Sequence, residues 1–260
     1  MIIREIKTNF KSLLIWLGVI SFFMLIVFVI YPSLMTSENI ELLNQLITVF
    51  PEELLKIFNM DIASITSPSG WVKSEGIVLL VLATSIYSSL LGFKTIGKEK
   101  EEMTIEYLAT KPISRDKILI SKILGNLINI VLLILTTSAV IITGLAISND
   151  LDFSLMIMLT LSPLFVNIFI YLLAVLISIF INNKNGLAFG IPFAFYFLNI
   201  LSLFSEKTKF FKYLTPFKFS DSRYIIENES LNYISLIIFL ISSFVLLLLA
   251  IYFYRKNELI

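Results

Sequence analysis

GKEKEEMTIEYLATKPISRDKILISK, Gly97–Lys122, carries 11 charged side chains in 26 positions, six basic and five acidic. Residues 76–93 before it and 123–147 after it contain no Asp, Glu, Lys or Arg. A dense polar segment between two uncharged apolar runs is what a chain shows where it leaves a bilayer, makes a connection in water and goes back in.

The composition agrees. Of 260 residues 57% are hydrophobic and 15% charged, against roughly 45–50% apolar and about 25% charged in a soluble domain. Mean hydropathy is +0.91. These figures place the chain among integral membrane proteins. A net charge of +1 leaves no basic footprint for nucleic acid. Without Cys there is no disulfide or thiolate chemistry. Without His the chain lacks the usual metal ligand and the usual neutral-pH proton carrier, and no metal site is expected. Rich Ile, Lys and Asn usage points to a bacterium with an AT-rich genome.

A bilayer core takes about 20 apolar residues in helical form. Six segments without Asp, Glu, Lys or Arg meet that need: 13–34, 76–93, 123–147, 154–181, 186–204 and 233–254. Their apolar runs are continuous rather than alternating. They predict six transmembrane helices, an all-α integral membrane fold and one transmembrane domain over 1–260. Asn182-Asn183-Lys184-Asn185 reads as a tight turn between antiparallel helices. At the N-terminus Ile2, Ile3, Ile6, Phe10 and Leu13 recur opposite Arg4, Lys7 and Lys11, which predicts an amphipathic interfacial helix ahead of the first span. The first apolar run is too long for a signal peptide, and no small-residue cleavage site follows it.

Lys and Arg counts set the expected orientation. With both termini inside, the inner segments hold 13 (three in 1–12, seven in 94–122, Lys184, and Arg255 with Lys256) and the outer segments seven, five of those in 205–232. The expectation is a multi-pass protein of the cytoplasmic membrane with both termini cytoplasmic. In the outer loop 35–70, Ile40–Ile47 reads as an amphipathic helix. Pro51, Glu52 and Glu53 read as a second helix start. Ser67-Pro68-Ser69-Gly70 reads as a break ahead of the interfacial anchor Trp71. A lid packed on the span ends and a surface that captures substrate both fit this loop. The second outer loop, 205–232, interleaves Phe210, Phe211, Tyr213, Phe217 and Phe219 with Lys as an interfacial belt.

Within the charged segment, Glu99–Leu108 predicts a helix with its acids exposed, and Pro112 stops it. Ser114 is a good cap for the next helix, and Asp116 sits in its first turn, where the dipole favours a carboxylate. Ile113 and Ile118 have hydrophobic-staple spacing. The second helix runs through Lys122 into the third span. The segment is therefore two short helices joined by a capped break and rigidly continuous with a membrane helix.

Glu102-Met103-Thr104-Ile105-Glu106-Tyr107-Leu108, followed by Lys111-Pro112-Ile113-Ser114-Arg115 and then Lys122, resembles the signature of ABC type 2 transporter permeases. The resemblance takes in the outer-loop Pro51, the Ser69-Gly70-Trp71 run and the surface segment before the last span, so it covers nearly the whole chain. Met103 stands where the family commonly has Gly. The resemblance implies a transmembrane subunit paired with separate ATP-binding subunits, two copies of them, which hold the ATP and Mg. It further implies a second permease, identical or related, and a cytosolic coupling helix within 94–122 that docks on the ATPase. Glu102, Thr104, Glu106, Tyr107, Pro112 and Arg115 are then the ATPase-coupling candidates. A plain solvated face is the competing reading of those charges.

No GxxxxGK[ST] loop occurs, so the chain itself is not expected to hydrolyse ATP. Ser114-Arg115-Asp116-Lys117 matches SxxK by spacing, but the helix-cap role explains it better. Within the spans Asn126, Asn129, Asn167, Asn199, Thr84 and Ser88 either pack helices together or line a translocation path. Thr84, Ser88 and Gly92 form one small-residue face, and Gly186 and Gly190 another. One could pack internally and the other across a dimer; spacing alone leaves the assignment open. The expected function is export of an amphipathic or lipid-like substrate, or a peptide, driven by a partner ATPase. The alternatives are an Na⁺ extruder or ion-coupled carrier, and a non-transporting membrane anchor for an ATPase.

Overall fold

The computed structural model describes residues 1–34, 36–49, 67–101, 114–181 and 185–256. Every regular element among them is helical: α1 (Ile2–Leu34), α2 (Ser37–Val49), α3 (Pro68–Trp71), a π-helical turn (Val72–Gly76), α4 (Ile77–Glu101), α5 (Arg115–Ile147), α6 (Phe153–Leu161), α7 (Pro163–Phe180), α8 (Asn185–Phe204), two 3₁₀ segments (Glu206–Tyr213 and Pro216–Ser220), α9 (Ser222–Asn228) and α10 (Tyr233–Lys256). Six stretches are long and apolar enough to span a bilayer: Ile2–Tyr31, Pro68–Lys98, Arg115–Ile147, Phe153–Phe180, Gly186–Phe204 and Tyr233–Lys256. The protein is an all-α integral membrane protein.

Several helices start earlier than their uncharged cores. No separate interfacial helix precedes the first span, because α1 is unbroken from Ile2. Its first sixteen residues, Ile2–Leu17, hold no Pro or Gly to interrupt it. Ser67–Gly70 does not break the chain before Trp71 either; it starts the second span. The Ser67 hydroxyl accepts from the Gly70 N–H at 3.0 Å, and Pro68 occupies the first helical position. The fourth span is interrupted at Ser162 and restarts at Pro163, whereas Pro192 is carried inside α8. The 205–232 connection is cut into short pieces by caps at Ser205, Thr215 and Asp221. Its aromatics divide as well. Phe210 and Tyr213 are exposed, but Phe217 is buried and Phe219 stacks edge-on with Phe169 and Phe239, so these two belong to the core rather than to a belt.

Span α4 lies innermost: 72% of its most apolar window is buried, against 17% for α1 and α8 and 22% for α10. It packs most extensively on α7, and α1 packs along α5. Glycine sets both approaches. A Cβ on Gly92 would lie 2.5 Å from the Ala174 Cβ and 2.6 Å from the Tyr171 carbonyl. On α5, a Cβ on Gly125 would meet Glu5 at 2.8 Å, and one on Gly144 would meet the Phe28 ring at 2.4 Å. Gly186 and Gly190 have nothing within 4 Å. The Thr84, Ser88, Gly92 face is thus the internal one, and the α8 glycines face outward. Gly92→Leu should cost about 1–3 kcal/mol of stability by forcing α4 off α7, while Gly190→Leu should leave the melting temperature of the detergent-purified protein unchanged; thermal unfolding of the two variants side by side checks this.

Candidate functional site

The charged connection leaves from the C-terminal end of α4 and returns at the N-terminal end of α5. Just inside those ends lies a buried polar node. Thr95 on α4 is its hub. Its hydroxyl lies 3.1 Å from the Tyr171 hydroxyl of α7 and donates within its own helix to the Leu91 carbonyl at 2.8 Å. The Asn126 amide of α5 donates to the Thr95 hydroxyl at 3.1 Å, and the Lys122 ammonium donates to the Thr95 carbonyl at 2.8 Å. Asn126 in turn accepts from the Asn9 amide of α1 at 2.8 Å, with Glu5 Oε1 at 3.5 Å from both amides. Four helices meet through side chains that are buried, and bonds of this kind contribute about 0.6 kcal/mol each and up to about 1.7 in a membrane interior.

Two sequence expectations change here. The spans were read as free of ionisable groups, yet Lys122 is 5% exposed and belongs to the same unbroken helix as the third span. Its position just before the apolar run disguised it, and the carbonyl it reaches is 27 residues away in sequence. Ser114 takes the N-cap position of α5 with extended backbone, but its hydroxyl makes no cap bond. Asp116 does lie in the first turn, and it also binds Arg255 at the end of α10, whose Nε donates to Oδ1 at 2.7 Å while its Nη2 engages Oδ2. No local pattern announces a pairing across 139 residues.

The remaining candidates are placed as follows. Glu102, Thr104, Glu106, Tyr107 and Pro112 lie outside the described residues, as do Ile113, Pro51, Glu52, Glu53 and 182–184. Arg115 is described and exposed. Deeper in the bundle, the Asn167 amide of α7 donates to the Thr84 hydroxyl at 3.0 Å, and the Ser88 hydroxyl returns to the Thr84 carbonyl at 3.0 Å. Asn129 is fully buried and neither atom of its amide finds a partner. Asn199 is apart from all of these. It lines a cavity of about 500 Å³ at the opposite end of the bundle, between the start of α4, the end of α8 and the segment that holds α9. There Lys218 lies 3.9 Å over the Tyr213 ring. Burial lowers the pKa of its ammonium, with Tyr213 and Asp221 opposing that shift.

In this helical membrane bundle a buried polar node joins the two helix ends that feed one charged connection. The chain belongs to the ABC-2 transporter family: the family described as "ABC-2 family transporter protein" matches residues 1–259. It is therefore an ABC transporter permease, a transmembrane component of that system. A comparison with curated proteins finds no match.

The pair Asn9 and Asn126 allows a direct test of the node. In a double-mutant cycle of Asn9→Ala and Asn126→Ala, unfolding in mixed micelles should give a coupling energy of about 0.5–1.7 kcal/mol.

Proposed function

We propose that this permease passes force from a partner ATPase to its membrane helices through 94–122, and so drives export of an amphipathic substrate. The observation that carries the reading is the node. Both arms of the charged connection are bonded together at Thr95, Lys122 and Asn126 before either enters the apolar bundle. From Thr95 to Glu101 is about 9 Å of helix and from Arg115 to Lys122 about 10 Å, at 1.5 Å per residue. A docked partner therefore acts on a short, braced fork. Glu102, Thr104, Glu106, Tyr107 and Arg115 are its proposed contacts, with Pro112 shaping the turn, and Arg115 has the exposure such a contact needs.

In this reading two ATP-binding subunits, carrying ATP and Mg, serve a pair of permeases, and both termini of this chain face the cytoplasm of a bacterial cell. The absence of a phosphate-binding loop supports a separate engine. The ion-coupled alternative has one structural point in its favour: among the described residues Lys122 is a buried charged side chain. Its ammonium is committed to a backbone carbonyl, which suits bracing better than ion exchange.

Two experiments test the proposal. Glu106→Lys combined with Arg115→Glu should abolish association with the ATPase and its stimulated hydrolysis while leaving the permease's melting temperature unchanged; retained stimulation removes the coupling role. Because the chain has no Cys, Arg115→Cys and Lys207→Cys report sidedness cleanly. A membrane-impermeant maleimide added to intact cells should label the second and spare the first.

A further inference from the structure

The cavity at the end of the bundle away from 102–113 has an electrostatic imbalance. Its lining is apolar at Ile77, Val78 and Leu203 and also carries four cations and three carboxylates. Most of the charges there have company. Asp221 and Glu227 both act on Arg223, and Lys212 and Lys218 lie over the Tyr213 ring at 5.1 and 3.9 Å. Glu75 is different: it lines the same cavity and is half-buried, and among the described residues its charge acts on the neutral Tyr196 hydroxyl rather than on a cation. A carboxylate withdrawn from water without a counter-ion is costly, and a cation supplied from outside relieves that cost.

The backbone sets Glu75 in this place. It sits on the π-helical turn Val72–Gly76, an element that is rare and frequent at functional sites. Gly76 closes the turn against Trp71, where a Cβ would come within 3.0 Å of the indole ring. At about 500 Å³ the cavity has the size of a small-molecule site. Divalent metal is a poor match, because among the described residues no group of three or more carboxylates gathers there to hold one.

We propose that this cavity binds the ammonium-bearing end of an amphipathic substrate, with Glu75 as counter-ion and the apolar wall beside it receiving the hydrocarbon portion. That this ligand is cargo rests on the export reading; binding itself needs neither ATP nor an ATPase.

The chain has two tryptophans, Trp16 and Trp71, so Trp16→Phe leaves Trp71, four residues from Glu75, as the sole reporter. With that permease in lipid nanodiscs, 12-bromododecylamine should quench Trp71 at about tenfold lower concentration than 12-bromododecanol, as expected of a hydrogen bond to a charged group. Glu75→Gln should erase the difference and Glu75→Asp should keep it. Equal quenching by amine and alcohol, or an amine preference that survives Glu75→Gln, overturns the site. Should Glu75→Gln fail to fold, competition in the Trp16→Phe parent decides: dodecylamine should displace the quencher, and displacement by dodecyl sulfate as effective as that by the amine overturns the proposal. Amine-selective quenching without ATP-driven movement of the amine in proteoliposomes would retire the export reading and support the site.

Discussion

The fold depends on how closely α4 can approach α7. Inside a bilayer there is no gain from hiding one apolar surface against another, since lipid is as apolar as leucine; close packing and internal hydrogen bonds do the work. Gly92 allows backbone to touch backbone where any Cβ would collide with Ala174 and the Tyr171 carbonyl. That contact brings the Tyr171 hydroxyl to Thr95, and on the same pair of helices the Asn167 amide reaches Thr84. Once Thr95 is placed, Lys122 and Asn126 hold α5 to α4, and Asn126 holds α1 through Asn9. Gly125 and Gly144 let α1 lie flat along α5.

How much of this was legible depends on the range of the physics involved. The apolar runs were readable because a bilayer imposes one length scale on every span, and Gly186–Phe204 falls where its run of uncharged residues does. Starts were misjudged where helix continues past the apolar core. Pro68 begins a helix under a serine cap, and Ile2–Leu34 has nothing near its start to stop it. The small-residue faces were visible as spacing, but only three-dimensional packing shows that Gly92 is covered and Gly190 open. Between helices, the node is a set of contacts between residues 27 to 121 positions apart. Asn126 stood out as a polar residue in an apolar run; Thr95, Asn9 and Lys122 sit at the ends of spans, where polar residues are ordinary. The π turn around Glu75 left no mark: Gly76 fits beneath Trp71 five residues earlier, a closeness that spacing alone does not announce.

The exposed Asp116–Arg255 pair and the buried node differ in what they can hold. With side chains 24% and 64% exposed, the ion pair is screened by solvent and orients α10 against the start of α5 more than it fastens it. The node sits out of water and cannot exchange its partners for solvent, so breaking it leaves several polar groups unpaired at once. Under the proposed coupling, α4 and α5 move together, and each carries its tightly packed companion, α7 and α1. The rim helix α8 has no comparable glycine contact; its glycines are open. Under the proposed coupling, the α4–α8 boundary is therefore the one least braced by such a contact. That boundary at its far end is where Glu75, Tyr196 and Asn199 share a cavity, so under the proposed coupling a push on the charged connection would reshape the space that Glu75 lines.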